Sequence, residues 1–234
     1  MQDPFEQYGP PFDLLSDMLF AFAFAPAEPL RGVFRSVPFL SLGGRVPLAM
    51  WFSRVKEGIY SDPGTGKRLR LGSPSAVLYY ELNVVAALRR RGGFVPGIYA
   101  TSPLTIAVGR RYGMPKQPTR MGLGIAGSAF YSVLDDHGRR SHVRARLLGN
   151  GLALGAVFSR LWPRWSWPAF FPDGRSIRAQ IQATPHVHLA HITAGRLALN
   201  APWLPRPVAL LPLGIYLPNQ RMRLPPPRDD ARGA

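Results

Sequence analysis

Only three of the 29 basic residues in the chain are lysines: Lys56, Lys67 and Lys116. Arginine supplies every other cation. A guanidinium does not lose its proton inside a protein, so it cannot serve as an amine nucleophile. A lysine kept in so arginine-biased a chain is a candidate for chemistry that arginine cannot do. Lys116 is the best placed of the three. Pro115 precedes it and Pro118 follows two positions on, and proline's fixed φ holds the backbone on both sides. The preceding run, Leu104 to Gly109, is apolar. An amine lifted out of water favours its uncharged form, and that form attacks carbonyl groups.

Glu81 is the second residue at odds with its surroundings. It is the only acid between Pro63 and Leu134, and it sits in the apolar run Val77 to Leu88. Read as a strand, that run points Tyr79, Glu81 and Asn83 one way and Leu78, Tyr80, Leu82 and Val84 the other. A carboxyl group in such a place either moves protons or pairs with a nearby arginine, and this segment alone leaves both open.

Other constellations carry less. Gly122 to Gly127 fits GxGxxG, but no strand-to-helix context surrounds it and no acid follows at the required distance, so these glycines read as tight packing. Gly64-Thr65-Gly66-Lys67 lacks the first glycine and the final hydroxyl of a phosphate loop and reads as a turn. His186 and His188 would share a strand face near His191, yet no carboxylate lies close in sequence, so ordinary strand histidines are expected rather than a metal site. Trp162, Trp165 and Trp167 alternate with Arg160 and Arg164. Aromatics with arginine can stack bases, but the prolines there suggest a rigid loop. There is no GxSxG and no cysteine, which excludes the nucleophile elbow, thiol catalysis and disulfides.

These residues must be positioned by short elements, because 25 prolines and 24 glycines punctuate the chain throughout. Strands are expected over Leu48 to Val55, Val77 to Leu88, Gly97 to Thr101, Leu104 to Arg110, His142 to Leu148, Leu152 to Ser159 and Ser176 to Ala190, with weaker ones at Gly195 to Leu199 and Gly214 to Leu217. Asp135-Asp136-His137-Gly138 and Asn150-Gly151 read as hairpin turns. A helical turn or more is expected within Phe12 to Phe22. The sum is a mainly β, antiparallel single domain over 1–234 with a partly closed barrel and flexible ends at 1–11 and 225–234. The apolar run Met18 to Pro26 is too short to span a bilayer and follows four acids, so a cytoplasmic protein is expected. The net charge of +16 is scattered, its longest run being Arg89-Arg90-Arg91, and reads as a solvated basic surface rather than a nucleic-acid footprint.

The stretches Tyr80 to Val85, Ile98 to Pro103 and Ala107 to Lys116 together resemble the acetoacetate decarboxylase superfamily. The carriers are an acidic strand of the form YxEL, here Tyr80-Glu81-Leu82, and an Ala-Val-Gly-Arg segment ending in Pro115-Lys116. The resemblance is clear over roughly 80 to 125. It implies a cone-like β-barrel around an apolar cavity, with Lys116 as the lysine that forms an imine and Glu81 as the active-site glutamate. Three positions depart from the pattern. Gln117 stands where the family has a second lysine, and Arg111 where a glutamate usually follows Gly-Arg. The family's N-terminal arginine aligns with Phe24 or Ala25, although Arg31 and Arg35 are near.

The expected function is therefore a Schiff-base-forming lyase acting on a small oxo acid, by decarboxylation or by aldol or dehydration chemistry through the same iminium. Lys116 and Glu81 are the expected catalytic residues. Tyr79, Asn83, Tyr99, Met114 and Gln117 are expected to line the substrate pocket. The chemistry calls for no cofactor and no metal, and the resemblance implies a homo-oligomer. The alternative is a non-catalytic basic β-barrel that binds a small ligand or nucleic acid.

Overall fold

The computed structural model describes residues 8–62, 64–89, 92–148, 164–182 and 186–229, with the backbone alone for 164–167. In chain order the elements are β1 (Gly9–Pro26), α1 (Ala27–Val33), β2 (Arg45–Ser61), β3 (Arg68–Gly72), β4 (Tyr79–Ala87), β5 (Gly93–Ala100), α2 (Pro103–Arg111), β6 (Lys116–Pro118), β7 (Arg120–Ala126), β8 (Ala129–Asp136), β9 (Arg139–Leu148), β10 (Arg164–Phe170), β11 (Arg175–Gln182), β12 (His188–Leu197), β13 (Val208–Leu224) and β14 (Arg228–Asp229). One sheet runs β14-β11-β10-β5-β4-β2-β1-β13-β12-β9-β8-β7, with β3 added at β2 and β6 at β5. A further pairing of β11 with β13 bends the run from β11 round to β13 into a partly closed ring. The sheet is mixed rather than purely antiparallel, because β5 pairs in parallel with both β6 and β10.

The middle strands are buried on both faces, and their alternation sorts two cores. On β1, Met18 and Phe20 point into the ring while Leu19, Ala21 and Ala23 point away. On β2, Trp51 and Val55 face the ring and Leu48, Met50 and Phe52 face outward. The outward faces pack against β7, β8, β9 and β12, with Phe130, Leu134, Val143 and Ile192 at the contact. Such two-faced burial needs near-continuous apolar strands, which is what these segments are.

Several expectations change. The stretch from Phe12 to Phe22 is strand, not helix. The repeat Phe20-Ala21-Phe22-Ala23-Phe24-Ala25 has a period of two, and β1 is hydrogen-bonded on one side to β2 and on the other to β13. Leu104 to Arg110 is helix, not strand, and forms most of α2. Residues 9–11 open β1, and 228–229 pair with β11. The tryptophan-rich run is strand from Arg164 onward, paired along β11; Arg160 and Trp162 lie outside the described residues, as do Asn150-Gly151 and the strand expected over 152–159. Ser176 to Ala190 divides between β11 and β12. The turn between β8 and β9 is a tight hairpin with His137 and Gly138 at φ of 52° and 84°. The exposed ring of Tyr131 lies over Gly124, where a larger side chain would displace it. No helix among the described residues is long and apolar enough to cross a membrane.

One buried ion cluster ties β1, β2 and β13 together. Asp17, 1% exposed, accepts from Arg54 Nε at 3.0 Å and from the Asn219 N–H at 2.9 Å, and lies 2.9 Å from Lys56 Nζ. Burial pushes its carboxyl up, but the Asn219 N–H and the Arg54 and Lys56 side chains outweigh burial and hold it below 3.8. Its contribution to stability is complete above that value and is lost as the pH falls through the lower folded-state value. Asp17→Asn should cost about 3 kcal/mol at neutral pH, and urea titrations at decreasing pH should show the gap to wild type closing as the pH falls below 3.8.

Candidate active site

Lys116 reaches its position through a crossover. Strand β5 ends at Ala100, α2 spans Pro103–Arg111, and β6 returns alongside β5 in the same direction. Parallel neighbours need such a connection. Both helix ends are written in the sequence. Ser102 is the N-cap, its Oγ accepting from Thr105 N, with Pro103 in the first turn. At the other end Gly113, at φ +79°, donates its N–H to Arg110 O, and Met114 N–H donates to Gly109 O, both at 3.0 Å. That pair of bonds is a Schellman closure, which needs the left-handed backbone that glycine adopts freely. Pro115 then stops the helix and Lys116 begins β6.

Register does the rest. Trp51 on β2 pairs with Asn83 on β4, Asn83 with Ile98 on β5, and Ile98 with Lys116 on β6. Paired residues point to the same face of a sheet, so all four point into the ring. Glu81 and Tyr79 follow on that face of β4 at intervals of two. The Lys116 Nζ is in direct contact with Glu81 Oε2, and the other carboxylate oxygen accepts from Asn83 Nδ2 at 3.0 Å. Lys116 and Glu81 are 7% and 5% exposed. The ammonium also lies 6.0 Å from the centre of the Tyr79 ring. Burial, then the Glu81 carboxylate, then the Tyr60 phenol push the Tyr79 phenol well above its usual value, so it stays protonated.

Around this pair is a cavity of ≈ 50 Å³ walled by β2, β4, β5, β10, β11 and β13, with Met114 at its edge. A second space of ≈ 20 Å³ adjoins it beside Lys116 and is walled by Phe12, Tyr60, Tyr79 and Thr105. That is room for about one water molecule. The arrangement can hold a small molecule against an amine and pass a proton between amine and carboxylate.

Solved structures with the same architecture are enzymes. The chain superposes with a TM-score of 0.55 and 16% identity, over 94% of its length and 89% of the other's, on the enduracididine biosynthesis enzyme MppR complexed with the condensation product of pyruvate and imidazole 4-carboxaldehyde. An acetoacetate decarboxylase-like enzyme from Sphingomonas wittichii gives 0.55 and 13%, over 92% and 90% of the two chains. An acetoacetate decarboxylase gives 0.54 and 15%, over 94% and 88%. The chain has the acetoacetate decarboxylase fold. No protein-family model and no curated protein matches its sequence, so the likeness is one of three-dimensional structure.

Within this acetoacetate decarboxylase fold, the structure brings together Lys116, Glu81, Asn83, Tyr79 and Met114. It does not bring Tyr99 or Gln117 to them. Tyr99 pairs with Leu82 and therefore faces the outer core, where burial and then the Asp136 carboxylate push its phenol up. Gln117 pairs with Tyr99 and is exposed, accepting from Arg110 at 3.2 Å. A period of two from Lys116 already turns its neighbour away. Among the other lysines, Lys56 is held by Asp17 and Asn219 and stands apart from the cavity. No group of three metal-ligating side chains stands close together among the described residues.

Sequence reasoning missed the far wall: Ala169, Phe171, Ile177 and Ala179 lie more than fifty residues beyond Lys116 and carry no local signal. It also missed Gly109, whose signal was present in the Gly-Arg preceding the lysine. A Cβ at Gly109 would stand 2.5 Å from Lys116 Cδ and 2.7 Å from Cε, so the helix can pass over the lysine stem only as glycine. Arg110 Nε meanwhile donates to Lys116 O at 2.7 Å. Gly109→Ala should lower the melting temperature, because parting the buried amine from Glu81 costs about 3 kcal/mol and alanine's better helix propensity returns only about 1. The displaced amine should react with a carbonyl probe about 100-fold more slowly, read by mass spectrometry of the reduced adduct.

Proposed function

We propose that this protein is a Schiff-base-forming lyase that acts on a small carbonyl substrate, with oxo acids the class that the sequence suggests. The observation that carries this reading is the contact of Lys116 Nζ with Glu81 Oε2 inside an apolar cavity. Support comes from the fold, shared with enzymes of which one was solved in complex with pyruvate.

Glu81 takes a proton from the Lys116 ammonium, and the freed amine adds to the substrate carbonyl carbon. The carbinolamine loses its hydroxyl as water, with the proton returned by Glu81. The iminium that results draws the electron pair of a bond one carbon away. Loss of carbon dioxide or of an aldehyde then gives decarboxylation or retro-aldol cleavage; loss of an α-proton to Glu81 instead gives an enamine that expels a β-hydroxyl, which leaves as water with that proton, and this is dehydration. In the first two branches the enamine carbon is reprotonated and water releases the product from Lys116. Asn83 holds the Glu81 carboxylate toward the amine, and the protonated Tyr79 phenol borders the reacting nitrogen.

Borohydride reduction in the presence of a carbonyl panel should label one site, and peptide mapping should place it at Lys116. Lys116→Arg should abolish labelling. Glu81→Gln should slow it by about 10²- to 10⁴-fold. A protein that remains unlabelled across the panel, or is labelled equally in Lys116→Arg, would remove this mechanism.

A further inference from the structure

The cavity's charge balance narrows the substrate of this same site, and the argument rests on the imine reading above. Eleven of the fourteen described lining residues are apolar, among them Trp51, Ile98, Phe171 and Met222. The three polar ones are Lys116, Glu81 and Asn83. The single cation in this lining is bonded to the single anion, and the amide of Asn83 already donates to that anion. The described walls therefore carry no net charge, and no arginine is among them. The reaction does not alter this balance, since an iminium at Lys116 would replace the ammonium opposite Glu81.

A carboxylate brought into this space would be a second anion beside Glu81, with no unpaired cation for it among the described lining residues. Desolvating such an ion costs several kcal/mol unless it is paired. An uncharged substituent of the same shape gains instead from apolar contact. The small volume of ≈ 50 Å³ favours a short molecule.

We propose that the substrate is a small, uncharged aliphatic ketone or hydroxyketone, with the carbonyl against Lys116 and an alkyl chain, not a carboxylate, against the apolar wall. Carbon–carbon cleavage then takes the retro-aldol form. The hydroxyl of a β-hydroxyketone gives its proton to Glu81, the bond between the α and β carbons breaks, and its electron pair enters the iminium as an aldehyde leaves. Protonation of the enamine carbon and hydrolysis return the shorter ketone and the free amine. The water lost on imine formation is regained, and no oxidant or reductant is needed.

The test uses the full chain and two isosteric pairs in which an isopropyl group stands in for a carboxylate: isopropyl methyl ketone against pyruvate, and isobutyl methyl ketone against acetoacetate. Each is trapped with borohydride, the adduct at Lys116 is quantified by mass spectrometry, and each rate is divided by that on free Nα-acetyl-lysine to remove intrinsic reactivity. The normalised rate should favour the neutral member of each pair by about tenfold or more. Equal or faster labelling by the acids would overturn the substrate claim while leaving the imine mechanism standing. Labelling by none of the four compounds would overturn both.

Discussion

An ammonium and a carboxylate held in contact beneath a protein surface are expensive to remove from water, and taking either away leaves the other buried and unpaired. The Lys116–Glu81 pair is such a contact, and the surrounding structure is arranged about it. Asn83 occupies the second carboxylate oxygen. The other neighbours are chiefly apolar, so the pair meets little competition from water. Among the described residues Glu81 is the one anion paired with this amine, and the Tyr79 ring lies beside it. On the proposed mechanism, a substrate carbonyl entering the cavity would meet the amine and its proton acceptor already in place.

Holding the pair there requires a sheet that is buried on both sides. The β1, β2 and β4 strands send one set of side chains into the ring and the other into a second core against β7, β8, β9 and β12. The second core fixes the orientation of the first. Leu82 and Val84, packed outward, leave Glu81 and Asn83 no face but the inner one. The crossover through α2 then places β6 beside β5 in the register that lines Lys116 up with Ile98. Gly109 admits the lysine stem beneath the helix, and the closure at Gly113 ends that helix at the residue from which the chain can turn into β6. The Asp17 cluster secures the same strands further along.

What could be read in the sequence follows from how local each signal is. The two-residue period of β4 put Tyr79, Glu81 and Asn83 on one face, and the scarcity of lysine singled out Lys116. Both are properties of short segments. Tyr99 failed as a pocket residue because its face depends on register with the neighbouring strand, which partners distant in sequence set; Gln117 failed although the two-residue period from Lys116 already turned it away. The α2 segment was misread because its alternating apolar residues also suit a strand. The deciding marks were Ser102-Pro103 before it and Gly113-Met114-Pro115 after it, a cap at each end. For β1 the opposite error arose, since an expected helical turn gave way to hydrogen bonding on both edges of the segment. The cavity's far wall from β10, β11 and β13 left no trace near Lys116, because only closure of the sheet brings it there.

The most direct test of the account is a crystal structure of the protein after borohydride reduction with a small carbonyl compound. The account predicts a secondary amine at Lys116 Nζ, within about 3 Å of the Glu81 carboxylate, with the added carbon chain lying among Trp51, Ile98 and Met114. An adduct on a different lysine, or a modified Lys116 turned out to solvent and parted from Glu81, would contradict it.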